Sequence, residues 1–139
     1  MGGSWQNTDP TVRQSTNTFV AASAIVDASA VESGNGGTIV AWSDITNPNS
    51  ATGGYGSLYA KGGSVSGDGG RIETSGYWLD TSSARGGASA PHGKSGLWLL
   101  DPITVTIGNF FSASGGFLNS GNTQAWIPSA SGSRVNVAF

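Results

Sequence analysis

The chain has 139 residues and no cysteine, and that one absence removes disulfides, zinc-thiolate sites and cysteine nucleophiles together. Charge is scarce as well. Six basic and eight acidic side chains leave a formal net charge of −2, so there is no basic face for nucleic acid and no polybasic stripe for anionic lipid. No apolar run approaches the roughly 18 residues of a membrane span. The start, MGGSW, has neither a charged n-region nor an apolar h-region; Met1-Gly2-Gly3-Ser4 reads as an expression scar, and a secretion signal trimmed upstream is compatible with it. Helix signals are nearly missing. The alanine-containing stretch Phe19 to Val31 carries β-branched Val20, Ile25, Val26 and Val31 and lacks long charged side chains, so it reads as strand.

What is present is glycine, 23 residues of it, punctuating short apolar runs. These runs are Thr38 to Trp42, Ser57 to Lys61, Arg71 to Ser75, Tyr77 to Asp80, Leu97 to Leu100, Ile103 to Ile107 and Arg134 to Phe139, each bounded by Gly, Asn, Asp or Ser. The chain is all-β. Sliding it along itself until Gly34 meets Gly67 lays Gly34-Asn35-Gly36-Gly37 on Gly67-Asp68-Gly69-Gly70, Ile39 on Ile72, and Ile25 and Val26 on Leu58 and Tyr59. A third, shorter copy has Ala84-Arg85-Gly86-Gly87-Ala88 echoing Ala60-Lys61-Gly62-Gly63-Ser64, with Gly93-Lys94-Ser95-Gly96 at the glycine turn. Short strands repeating at this period are the signature of a β-helix, a solenoid in which apolar residues of successive coils stack. The expected inward ladder is Ile39, Leu58, Ile72, Leu97 and Leu99. Ile45 to Ser50 forms a loop that lengthens the first repeat, and glycines supply positive φ at the turns. Residues 1–18 form the scar and lead-in, 19–107 the coils, and 108–139 C-terminal strands acting as a less regular cap built on Phe110, Phe111, Phe117 and Trp126. A β-sandwich whose glycine turns resemble one another by chance is the competing fold.

Three segments, GNGGTIVAWSD from Gly34, GDGGRIETSG from Gly67 and GKSGLWLLDP from Gly93, lie in this order within residues 19–107. Together they resemble filamentous-haemagglutinin-like exoproteins, the adhesins exported by two-partner secretion in Gram-negative bacteria. The E-T-S-G and G-K-x-G-x-W-L-L-D-P runs are the specific part of the match. The resemblance implies a right-handed parallel β-helix in a secreted or cell-surface shaft, with neighbouring coils of the parent protein as its partners and host glycans or surface receptors as its targets. It implies no enzyme.

The chemistry-bearing residues are few. His92, the only histidine, follows Pro91 and reads as an exposed turn residue rather than a triad member. Scattered carboxylates give no pair flanking a scissile sugar bond, and Asp44 and Asp80 read as turn formers. Gly67-Asp68-Gly69-Gly70 has half of a calcium nonapeptide, but Asn35 replaces the acid in the other copy, so no metal or other cofactor is expected. The aromatics Trp42, Tyr77, Trp78 and Trp98 cannot all face inward and are candidates for binding a sugar. The bond Asp101-Pro102 is a candidate for self-cleavage or crosslinking: its carboxyl can attack its own peptide carbonyl, proline being a comparatively good leaving group, to give an anhydride that water opens in cleavage or Lys94 in crosslinking. That chemistry needs a raised Asp pKa and a strained bond. The competing role for Pro102 is to end a strand at a corner.

Overall fold

A computed structural model describes residues 1–102 and two short strands further on, Thr106–Gly108 and Arg134–Asn136; the expected C-terminal cap residues lie outside the described residues. The chain passes three times through the same sequence of strands. The first coil is β1 (Asn17–Val20), β2 (Ile25–Asp27) and β3 (Thr38–Trp42); the second is β4 (Ala51–Gly54), β5 (Ser57–Tyr59) and β6 (Arg71–Gly76). The third coil is β7 (Trp78–Asp80), β8 (Arg85–Gly87) and β9 (Leu97–Pro102). Each coil gives one strand to each of three parallel sheets, ordered β1-β4-β7, β2-β5-β8 and β3-β6-β9. The result is an all-β, β-helix-like stack in which a 3-10 turn at Trp5–Asn7 is the only helical element among the described residues. Two further strands, β10 (Thr106–Gly108) and β11 (Arg134–Asn136), pair with each other in parallel.

The core runs along the stack as rows of equivalent residues. Ile39, Ile72 and Trp98 are register partners in the third sheet, and Val26, Leu58 and Gly86 in the second. Val20, Ile39, Ala41, Leu58, Ala60, Ile72 and Ala88 form the buried cluster, with Ala24, Val26, Ala28 and Trp98 packed against it. Core volume is redistributed from coil to coil: the third replaces a leucine by Gly86 and an isoleucine by Trp98, so it carries its bulk on one rung rather than two. Polar residues complete the interior. Thr52 Oγ1 bonds Ser43 Oγ at 2.8 Å and the Ser75 carbonyl at 2.7 Å, and Trp98 Nε1–H donates to Thr74 Oγ1 at 3.2 Å. Buried hydroxyls are tolerated here because each finds a partner.

Several expectations need correcting. Leu97 lies opposite Arg71 and is 42% exposed, and Leu99 lies opposite Glu73 on the outer side; the inward rung is Trp98. Alternation across a strand makes this a one-residue inversion of the expected ladder. Ile25 and Val26 pair with Ser57 and Leu58, not with Leu58 and Tyr59, because the repeat in the second sheet is one residue shorter than in the third. Arg85, Gly86 and Gly87 pair with Ser57, Leu58 and Tyr59, so they are a strand rather than the counterpart of the Lys61 to Ser64 turn. The stretch from Phe19 to Val31 holds the end of β1 and all of β2, separated by a turn that Ala24 N–H closes on the Ala21 carbonyl at 2.9 Å.

Other expectations hold. Ile39 does sit on Ile72, and the loop after β3 does lengthen the first coil. Gly34 and Gly67 carry the expected positive φ, at 127° and 117°. At the next corner the demand is for space instead. A Cβ on Gly70 would lie 2.0 Å from the Gly37 carbonyl oxygen, and one on Gly96 would lie 1.9 Å from that of Gly70, so the backbones of three coils stack directly on one another.

Paired substitutions followed by thermal or urea unfolding check this architecture. Trp98→Ala is expected to cost about 3 kcal/mol and the neighbouring Leu97→Ala under about 1 kcal/mol. Gly70→Ala is likewise expected to cost about 3 kcal/mol. Gly87→Ala, where an added Cβ meets nothing within 4 Å, is expected to be neutral or slightly stabilising. Equal costs within either pair would contradict the register.

Candidate functional site

The outer faces of two sheets differ in what lies over them. On the third sheet, alternation turns Val40, Glu73 and Leu99 outward in one row and Trp42, Ser75 and Asp101 in the next. The N-terminal residues lie across the start of these rows. Trp42 N–H donates to the Met1 carbonyl at 3.0 Å, Gln6 N–H to Glu73 Oε2 at 2.8 Å, and the Arg71 guanidinium stands 4.7 Å from the Trp5 ring centroid. Gly3 lies so close to the Trp42 ring that a Cβ there would be 2.4 Å from it. Trp42 is therefore only 1% exposed, its Nε1–H donating to Gln14 Oε1, and offers no free ring face to a sugar. Trp98 is half-buried and packs against the core.

Two carboxyls share this covered face. Glu73 is fully buried, accepting from Gln6 N–H and from Ser75 Oγ–H at 3.0 Å; burial pushes its pKa up, the two hydrogen bonds oppose that, and nearby Asp101 adds to it. Burial also raises Asp101, whose Oδ1 is buried with no hydrogen-bond partner among the described residues. One condition for chemistry at Asp101-Pro102 is thus present. Asp101 and Pro102 lie in regular ladder register with Ser75 and Gly76, and the bond between them is trans. Lys94 lies beyond the opposite end of β9 and is exposed. The strand from Leu97 to Asp101 puts about 13 Å between those ends, beyond the reach of a lysine side chain.

The first sheet is open. Its outward positions are Asn17 and Phe19 in the first coil, Ala51 and Gly53 in the second, and Trp78 and Asp80 in the third. Large side chains on the outer strands flank small ones on the middle strand, which makes a trough of about 320 Å³ along β4. Phe19 is 69% exposed and Trp78 65%. Tyr55 closes one end, packing edge-on to Phe19 with centroids 5.4 Å apart and donating its hydroxyl to Asp80 Oδ2 at 3.0 Å. The rings lie close over Gly53 in the floor, where a Cβ would stand 2.9 Å from the Tyr55 ring and 3.0 Å from that of Phe19. Trp78 is held in place by its Nε1–H bond to the Pro48 carbonyl at 3.1 Å and by Tyr77, whose ring lies 5.8 Å away. Burial works to raise the Asp80 carboxyl, but the bonds from Ser82 and Tyr55 outweigh it and hold its pKa below the usual value.

Of the four aromatics expected to bind a ligand, then, Trp78 stands at an accessible surface feature with Tyr77 as its support, and Trp42 and Trp98 do not. Phe19 and Tyr55 went unnoticed as site residues because they belong to different coils. Asp44 and Asp80 do form turns, their Oδ1 atoms accepting Thr46 N–H and Ser82 N–H, each at 2.9 Å, and His92 is exposed; Asn35 and Asp68 bond between coils instead, Asn35 Oδ1 accepting Asp68 N–H and Asp68 Oδ1 accepting Lys94 N–H, each at 2.8 Å. No group of three or more metal-ligating side chains occurs among the described residues. No helix among them is long and apolar enough to cross a membrane. No family model matches the chain, and no curated protein is similar to it at a significant level.

The buried Glu73 gives a pH signature. A carboxyl whose folded pKa is raised stabilises the fold below the ordinary carboxylate range, near 4, and that contribution is lost as pH rises through the folded value. Glu73→Gln keeps an acceptor for Gln6 N–H and removes the charge. It is expected to raise stability at pH 7 by on the order of 1 kcal/mol, about 4 °C in Tm, with the difference from wild type vanishing below pH 4. Thermal scans of both proteins across pH 3 to 8 measure it; a variant less stable at pH 7 would contradict the assignment.

Proposed function

We propose that this chain is a structural segment of a secreted or surface-exposed bacterial adhesin, a right-handed parallel β-helix of the kind its three glycine-led segments resemble. The observation that carries the reading is the in-register stacking of three coils into three parallel sheets. Such a stack transmits load through ladder hydrogen bonds and extends by adding coils, each burying its apolar rung against the last. Among the described residues, the third-coil strands β7, β8 and β9 each pair on one side only, which suits continuation into neighbouring coils of a longer shaft. The scarcity of charge and the absence of cysteine fit a chain exported unfolded and assembled outside the cell.

In this reading Asp101-Pro102 ends a strand and does not react. The purified chain is expected to keep one intact mass over days at pH 5 and at pH 7.5, and a fragment pair splitting after Asp101 would restore the processing role. Export is tested with antibodies raised against the chain. They are expected to label intact cells or the culture medium of the source organism, and labelling only after lysis would overturn the adhesin reading.

A further inference from the structure

We propose that the trough on the first sheet is a saccharide subsite that takes an uncharged pyranose and rejects acidic sugars. The site is read from the chain's own surface and stands whether or not the segment belongs to an adhesin.

Three features carry the inference. Neighbouring parallel strands lie about 4.8 Å apart, so β1 and β7 stand about 10 Å apart across β4; Tyr55 fills that width at the Gly53 rung, which leaves the Ala51 rung beside Trp78 to take a six-membered ring. Phe19 and Trp78 line those walls with aromatic surface, to which the C–H-bearing face of a pyranose binds through dispersion and ring quadrupole. The Asp80 carboxylate stands beside them. Ser82 N–H occupies its Oδ1 at 2.9 Å and Tyr55 occupies Oδ2, which leaves lone pairs on both oxygens to accept from sugar hydroxyls.

Preorganisation points the same way. Trp78 exposes most of its ring yet is pinned at its indole N–H by Pro48, and the loop that supplies this carbonyl is the insertion by which the first coil exceeds the second. Phe19 and Tyr55 close over Gly53, packing against each other at the place a β-carbon would take. Rings immobilised before binding lose little entropy when a ligand arrives.

Selectivity follows from charge. Among the described residues Asp80 is the only charged one lining the trough, and its hydrogen bonds keep it ionised through the physiological range. A uronate or sialate carboxylate would face it without a compensating cation. A small organic cation meets no such repulsion, but three rings spread along an open trough do not enclose an ammonium group on several sides as a cage does.

Saturation-transfer NMR on the full chain tests the proposal, using the methyl glycosides of glucose, galactose, mannose and N-acetylglucosamine, with methyl glucuronide, N-acetylneuraminic acid and tetramethylammonium as comparators. At least one neutral glycoside is expected to bind with millimolar or better affinity, and the acidic sugars at least tenfold more weakly. Trp78→Ala and Phe19→Ala, both at exposed positions, are expected to weaken that binding at least tenfold with little change in Tm. Asp80→Asn is expected to narrow the gap between neutral and acidic sugars at least threefold. No neutral binder, binding indifferent to Trp78 and Phe19, equal binding of the acidic sugars, or tetramethylammonium as the tighter ligand would each overturn it.

Discussion

The coils of this protein are separated by one strand spacing, and everything else accommodates that distance. At about 4.8 Å there is room for side chains only above and below each sheet, never between strands. Where the chain turns from the second sheet into the third, the backbones approach so closely that the carbonyl oxygens of Gly37 and Gly70 occupy the space a β-carbon would need on the glycine one coil further on. Glycine at these corners is therefore a condition of stacking rather than a source of flexibility. With the corners fixed, Gly37, Gly70 and Gly96 donate equivalent bonds to the carbonyls of Ala28, Ala60 and Ala88, each at 2.7 Å, and the third sheet starts in the same phase in every coil.

The same spacing explains the poverty of charge. Like charges stacked at one strand spacing repel, so a repeated position tolerates a charge in one coil more readily than in every coil. The Asn35, Asp68 and Lys94 column illustrates this: an amide, a carboxylate and an ammonium side chain occupy equivalent places, and the first two accept the next coil's backbone N–H in turn. Lysine has no acceptor to offer, so this side-chain ladder stops at the third coil. Serine and threonine fill the interior where alanine or isoleucine would otherwise stand, because neighbouring coils bring a carbonyl or hydroxyl within reach.

How much of this could be read from the sequence depended on whether the repeat held a constant offset. The third sheet keeps the same offset that carries Gly34 onto Gly67, so Ile39 and Ile72 aligned correctly. In the second sheet, where Ile25 meets Ser57, the offset is one residue shorter; in the first, where Asn17 meets Ala51, it is one residue longer. A single slide cannot serve all three, and that drift put Ile25 on the wrong partner. The inversion at Leu97 was avoidable, since counting two positions on from Gly70 reaches Ile72 and counting two on from Gly96 reaches Trp98. β4, with the sequence Ala-Thr-Gly-Gly, carries no apolar signal at all and is a strand only because β1 and β7 pair with it on either side.

The trough was illegible for the same reason that it exists. Phe19, Gly53 and Asp80 form one outward row, yet each is a whole coil of chain away from the next, and only the stack makes them neighbours. A solenoid presents such rows on every face, and most are either polar or covered. On the third sheet the row of Trp42, Ser75 and Asp101 begins beneath the N-terminal residues, and its tryptophan serves packing. On the first sheet no described segment crosses, and the small residues Ala51 and Gly53 of the middle strand leave space open to solvent beside the Phe19 and Tyr55 rings. The two faces share a backbone and differ in what lies over them, and of the two it is the first sheet's that presents aromatic rings, Phe19 and Trp78, to solvent.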